Sequence, residues 1–82
     1  MTAIKPPVFV REMSSGLRVT REVREIETAS RIHLSWPGRG KAWRNAAEVL
    51  SEALRGQASP QEARKAFVAA AKEEGVLIER DW

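Results

Sequence analysis

The first third of the chain alternates apolar and polar side chains with the two-residue period of β-strands. A β-branched and aromatic run precedes a Ser/Gly turn, and apolar and polar residues alternate again beyond that turn. The pattern predicts a β-hairpin with strands at about 7–12 and 17–23. One face of the hairpin is expected to lie on the core, and in the second strand this face carries Leu17, Val19 and Val23.

Beyond Glu25 the apolar residues recur every three or four positions, which is typical of a helix with one buried face. The first helical pattern stops before Pro37, because the residue that precedes a proline disfavours the helical region. A second pattern runs from about Lys41 to Arg55. Gly56 follows it at the position of a left-handed cap, so two helices are predicted on either side of Pro37.

The third helix has the clearest start signal in the chain. Ser59 and Glu62 have the spacing of a capping box, and Pro60 occupies the first helical position. Gly75 ends this helix, and residues 76–78 predict a short last strand. The order ββαααβ therefore predicts an α+β fold in which a three-stranded sheet packs on three helices.

The length of 82 residues suits a single domain, 1–82, with one small core. Residues 1–6 and 79–82 are expected to be frayed ends. The first residues lack the apolar stretch of a signal peptide, and no apolar run approaches the ~20 residues needed to span a bilayer. We therefore expect a cytoplasmic protein without a membrane partner. The chain has no cysteine, which excludes disulfides and cysteine-based metal sites.

A family resemblance rests mainly on the helical segments. The residues that carry it are Trp36-Pro37, Ala53-Leu54-Arg55-Gly56, Glu62-Ala63-Arg64-Lys65-Ala66-Phe67 and Ala69-Ala70-Ala71. Together they resemble the bacterial family called domain of unknown function 982, over residues 8–78. The family has no assigned activity, so the resemblance implies where the elements begin and end and implies no catalytic residue.

The search for catalytic chemistry centres on His33, the only histidine, which falls near the apolar face of the first helix. No Ser, Cys or second His stands at a telling distance from it, which favours a structural histidine. A general base oriented by Glu48 or Glu62 is the alternative. One histidine with scattered carboxylates gives no metal-binding pair, so we expect no enzyme activity, no cofactor and no metal.

Residues 36–43 join the first two helices through a turn rich in Trp, Gly and positive charge. Residues 31–44 contain four basic side chains and no acidic one. This composition predicts a candidate contact for an anion or a nucleic acid. Its residues are Arg31, Trp36, Arg39, Lys41, Trp43 and Arg44. The alternative, which we favour, is a structural joint whose tryptophans anchor the helices and whose glycines let the chain reverse.

A three-stranded sheet also has exposed edges. An edge such as 76–78 or 8–10 can pair with a second copy or with another protein, and Trp82 would add an apolar contact. The sequence therefore predicts a small non-enzymatic domain that acts through protein contacts, with a homodimer as one form of them. Binding of nucleic acid or another anion by residues 36–43 is the alternative function.

Overall fold

A computed structural model describes residues 3–14 and 16–79 of the chain. The elements in chain order are β1 (Ala3–Ser14), β2 (Leu17–Glu25), α1 (Ile26–Ser35), α2 (Lys41–Leu54), α3 (Pro60–Glu74) and β3 (Leu77–Ile78). This order confirms the predicted α+β fold and its ββαααβ succession. Residues 80–82, including Trp82, lie outside the described residues, as do the expectations about them.

The sheet has the strand order β2-β1-β3, and both strand pairs are antiparallel. The β1 strand pairs with β2 from Val8 opposite Val23 to Ser14 opposite Leu17, and it pairs with β3 through Phe9 opposite Ile78. Because β3 returns beside β1, β1 is the central strand. The prediction that residues 8–10 offer an edge was therefore wrong, and the two edges are β2 and β3.

The N-terminal end of β1 is more ordered than the frayed end expected through Pro6. The strand begins at Ala3, and Ile4 is a core residue with 1% of its surface exposed. The carbonyl oxygen of Pro6 accepts a hydrogen bond of 2.8 Å from Arg64 Nε. Sequence patterns miss this segment because two consecutive prolines lack N–H donors and coincide with a register shift between Ala3 and Val8.

The core lies between the sheet and the three helices, and α2 contributes Ala46, Leu50 and Ala53 to it. Four of the five buried residues of α3 are alanines, so the helix backbone lies close to its neighbours, with Phe67 as the one large side chain. The predicted capping box is present: Ser59 Oγ accepts from the backbone N–H of Glu62, and a Glu62 carboxylate oxygen accepts from the N–H of Ser59. Gly75 ends the helix with a φ of 75°, as its position predicts.

The helices cover only one half of the hairpin. Residues directly opposite each other in an antiparallel pair share a face, so Leu17 and Val19 lie on the same face as the buried Val10 and Val23. Leu17 and Val19 are nevertheless 69% and 40% exposed. The prediction that they lie on the core was therefore wrong, because the two-residue period identifies a face of the sheet but not how far the helices reach along it.

Candidate functional site

The tryptophan turn comprises residues 36–43 and connects α1 to α2. Trp36 is 7% exposed, and its ring stacks on that of Phe67 with the centroids 5.3 Å apart. Trp43 is half-buried in the first turn of α2. The ring of Trp36 is thus part of the core, and of the two tryptophans in the predicted anion contact Trp43 is the more accessible.

His33 links the two helices that the tryptophan turn connects. Its Nε2 lies 2.9 Å from the carbonyl oxygen of Trp43 and donates to it, since a carbonyl can only accept. In return, Trp43 Nε1 donates to the carbonyl oxygen of His33 at 3.0 Å. The two rings stack with centroids 4.4 Å apart, and Trp36 meets the imidazole edge-on at 5.8 Å. These reciprocal contacts hold α1 against α2.

Burial sets the ionisation of His33, whose side chain is 1% exposed. Loss of hydration lowers its pKa below the ordinary value, and the positive charge of Arg39 lowers it further. The hydrogen bond to Trp43 and the negative charge of Glu74 act in the opposite direction, but they do not outweigh burial. The imidazole is therefore neutral at neutral pH, with Nε2 engaged, as in a structural histidine.

A carboxylate from α3 caps the N-terminus of α2. Glu73 Oε1 accepts from the backbone N–H of Ala42 at 3.0 Å, and its Oε2 accepts from that of Trp43 at 3.2 Å. The first amides of a helix have no partner within the helix and favour anions. The amides that make this turn resemble an anion cradle therefore already bind an anion supplied by the chain.

The glycines of the tryptophan turn make room for this cap. A Cβ at Gly40 would lie 2.6 Å from the carboxylate carbon of Glu73, and a Cβ at Gly38 would collide with the carboxylate of Glu74. Sequence reasoning missed both glutamates as members of the turn, because they lie more than 30 positions downstream in the chain. The two glycines were the available signal that another group approaches closely.

The four cations of the predicted contact are exposed; they are Arg31, Arg39, Lys41 and Arg44. The guanidinium carbon of Arg39 lies 4.0 Å from the centroid of the Trp43 ring, so guanidinium, indole and imidazole form one stack. The stretch is free of acidic residues in sequence but not in space, because Glu73 and Glu74 lie against it. Its positive charge is thus partly compensated.

A second candidate surface lies on β1 and β2 and faces Trp36 and Pro37 of the tryptophan turn. We define the distal hairpin as residues 11–14 and 17–21. An open cleft of about 590 Å³ separates it from the end of α1 and from Gly75. Glu12 forms an ion pair of 2.8 Å with Arg21 on the face that carries Leu17 and Val19.

The outer edge of β2 continues this surface. Seven of the nine residues of β2 are exposed, and Val23 is the one that is buried. Within residues 3–14 and 16–79, no strand pairs with that edge. An edge strand presents unpaired N–H and C=O groups to which another strand can bond. The β2 edge and the distal hairpin therefore combine unpaired backbone groups with exposed apolar side chains, whereas the other edge, β3, has only two residues, both half-buried.

Comparison with known families assigns the chain. A sequence model described as protein of unknown function (DUF982) matches residues 7–78. The chain belongs to the DUF982 family. This membership confirms the resemblance identified from the helical segments, and it brings no activity with it. Comparison of this DUF982 chain with curated proteins and with solved structures finds no match.

Two further observations concern the described part of this DUF982 chain. None of its helices has the length and apolar character that crossing a bilayer requires. Nowhere in residues 3–14 and 16–79 do three His, Cys, Asp or Glu side chains come together as ligands for a metal ion.

Proposed function

We propose that this DUF982 protein is a non-enzymatic domain that acts through protein contacts made by the distal hairpin and the β2 edge. The observation that carries the proposal is the 69% exposure of Leu17 beside the unpaired edge of β2. Burial of exposed apolar side chains at an interface favours association, because it removes apolar surface from water. An edge strand next to exposed apolar side chains combines the two sources of affinity used in strand addition.

The tryptophan turn supports this choice by contrast. Its helix amides are bonded to Glu73, the carbonyl of Trp43 is bonded to His33 of α1, and the carboxylates of Glu73 and Glu74 lie against its glycines. A ligand at the turn would have to displace partners that the chain itself supplies. A partner strand at the β2 edge would bond to backbone groups that no strand within residues 3–14 and 16–79 engages.

The test is photo-crosslinking in the host cells. A photoreactive amino acid replaces Leu17 or Thr20 in two variants, and Gln61, an exposed residue at the start of α3, in a matched control. We expect covalent adducts with a polypeptide from the first two positions and none from the third. Adducts that are missing at both hairpin positions, or equally abundant at position 61, would contradict the proposal.

The second candidate function is binding of a nucleic acid or another anion by the tryptophan turn. It is supported by the four exposed cations within residues 31–44 and by the guanidinium of Arg39 stacked on Trp43. Phosphate contacts make binding salt-dependent, and a base could stack on the half-buried indole of Trp43 in place of the Arg39 guanidinium.

Titration with single-stranded DNA at low salt, followed by tryptophan fluorescence, tests this candidate. Binding that weakens with salt and in Arg39→Ala and Lys41→Ala, but not in the control Arg55→Ala, would establish it. Fluorescence that stays constant throughout the titration would remove it.

A further inference from the structure

We infer that the occupant of the β2 edge is a second copy of this chain. The two β2 strands pair antiparallel, and the two-fold axis passes midway between the two copies of Thr20. The inference rests on the proposed function and names its partner. Of the two sheet edges, β2 has nine residues and β3 has two, so β2 offers the longer ladder. The charges along β2 complement those of a second β2 strand in one antiparallel register.

The geometry of antiparallel pairing limits the registers. Side chains that oppose each other directly lie on the same face, and a two-fold axis perpendicular to the sheet keeps the core face of both copies on one side. Residues of even number in β2 therefore oppose even-numbered residues of the second copy. One residue of β2 must then oppose the same residue of the second copy, with the axis midway between them. We name each register by that residue and say that the axis is at it.

Charge complementarity selects one register. With the axis at Thr20, Arg18 opposes Glu22 of the second copy, and symmetry repeats this pair on the other side of the axis. With the axis at Arg21, that arginine opposes its own copy and Arg18 opposes Arg24. An axis at Glu22 places two carboxylates opposite each other. Opposite charges across a strand pair stabilise it, whereas like charges destabilise it.

The next register in the other direction is shorter. With the axis at Val19, the strands overlap only over residues 17–21, and Arg18 opposes Thr20 instead of a carboxylate. With the axis at Thr20, the overlap extends over residues 17–23. The Thr20 register is therefore favoured over the Val19 register by length and charge, and over the Arg21 and Glu22 registers by charge.

The same register covers the exposed apolar side chains. Leu17 comes to lie beside Val23 of the second copy, near the start of its α1 at Ile26, and Val19 comes to lie beside Arg21. The aliphatic part of an arginine side chain can cover apolar surface while its guanidinium stays in water. The guanidinium of Arg21 is already oriented by Glu12 at 2.8 Å. Both exposed apolar side chains of the distal hairpin, Leu17 and Val19, thus contact a side chain of the second copy.

The chain has no cysteine, so single cysteines can report the position of the axis. When a residue opposes the same residue of the second copy, their two Cα atoms lie about 5.5 Å apart. This distance lies within the range that a disulfide can bridge. Under mild oxidation Thr20→Cys should form a covalent dimer of twice 9.2 kDa. Arg24→Cys on the same face of β2 and Gln61→Cys on α3 are the matched controls and should stay monomeric.

Charge reversal provides an independent measurement. Arg18→Glu and Glu22→Arg each replace both attractive pairs by repulsive ones, and we expect dimer dissociation constants at least about tenfold higher in sedimentation equilibrium. The double variant restores opposite charges across the axis and should regain the dimer. Arg24→Glu, which removes the 3.3 Å ion-pair partner of Glu22 within the chain, should leave dimerisation unchanged.

Each outcome decides for or against the inference. Cross-linking that is strongest at position 20, together with rescue in the double charge variant, establishes it. A maximum at position 24, no cross-link above that at position 61, or a monomer up to about 1 mM, where even a Kd near 1 mM would be visible, overturns it. Cellular adducts from position 17 or 20 that contain a different protein would also overturn it, while leaving the proposed function intact.

Discussion

The composition of the tryptophan turn indicates a binding surface and that of the distal hairpin indicates a strand on the core, and the structure differs from both indications. The turn gathers indoles, glycines and positive charge, as a binding surface would, yet His33, Phe67 and Glu73 from elsewhere in the chain bond to or cover its groups. The hairpin alternates like a strand on a core, yet Leu17 and Val19 are exposed. The difference shows that exposure depends on how far neighbouring elements reach. Four predictions test it, beginning with the largest effect.

Phe67→Ala should destabilise the protein most, by about 3–5 kcal/mol, because it removes a fully buried ring and leaves a cavity beside Trp36. Urea unfolding followed by circular dichroism measures the change. Phe67→Leu retains part of the volume and should lose less. A change below about 1 kcal/mol in Phe67→Ala would mean that the aromatic stack does not anchor the turn.

Glu73→Ala should lower the free energy of unfolding by about 1 kcal/mol, because the first amides of α2 lose their acceptor. Gly40→Ala should act similarly: its φ of −72° suits alanine, but the new Cβ would displace the Glu73 carboxylate. In denaturant unfolding, the double variant should lose less than the sum of the two single variants. Simple additivity would show that the two sites act separately. Glu48→Ala, exposed on α2, is the control.

The free energy of unfolding should fall as the pH falls below about 6.5, which is the ordinary pKa of a histidine such as His33. The folded state lowers the pKa of His33, so between 6.5 and that lowered pKa the unfolded chain binds a proton that the folded chain does not. Hydrogen bonds from Ser59 also lower the pKa of Glu62. That carboxyl changes the free energy of unfolding only around and below its ordinary pKa of 4.5, outside the pH range in which His33 titrates.

Thermal unfolding between pH 7 and 5 checks this dependence. His33→Gln keeps a donor for the Trp43 carbonyl and removes the titration, so its stability should change less over this range. The same slope in both proteins would assign the effect to another group.

The smallest effect on the isolated chain is expected in the distal hairpin. Leu17→Thr with Val19→Thr should change the free energy of unfolding by no more than about 0.5 kcal/mol at low protein concentration, because neither side chain is buried. The matched variant Leu50→Ala, at a position that is 1% exposed, should lose about 2–5 kcal/mol. A large loss in the hairpin variant would mean that its apolar residues stabilise the monomer.

The elements of this fold could be predicted because their signals are local. Ser59, Pro60 and Glu62 specify the start of α3 within four residues, and Gly75 specifies its end through a backbone conformation that glycine adopts readily. The N-terminal part of β1 escaped prediction, because prolines interrupt the pattern that would mark a strand.

The amino-acid sequence alone determined the order of the elements, the two caps of α3 and the family to which the chain belongs. Only the tertiary structure decided which surfaces remain open. Glu73 reaches the amides of α2 from 30 and 31 residues away, and the helices stop short of Leu17. Contacts of this kind depend on the distance between elements in space, whereas periodicity and capping report only a residue's near neighbours. For this reason the cap that Glu73 forms at the tryptophan turn and the exposed edge of β2 became visible only in the structure.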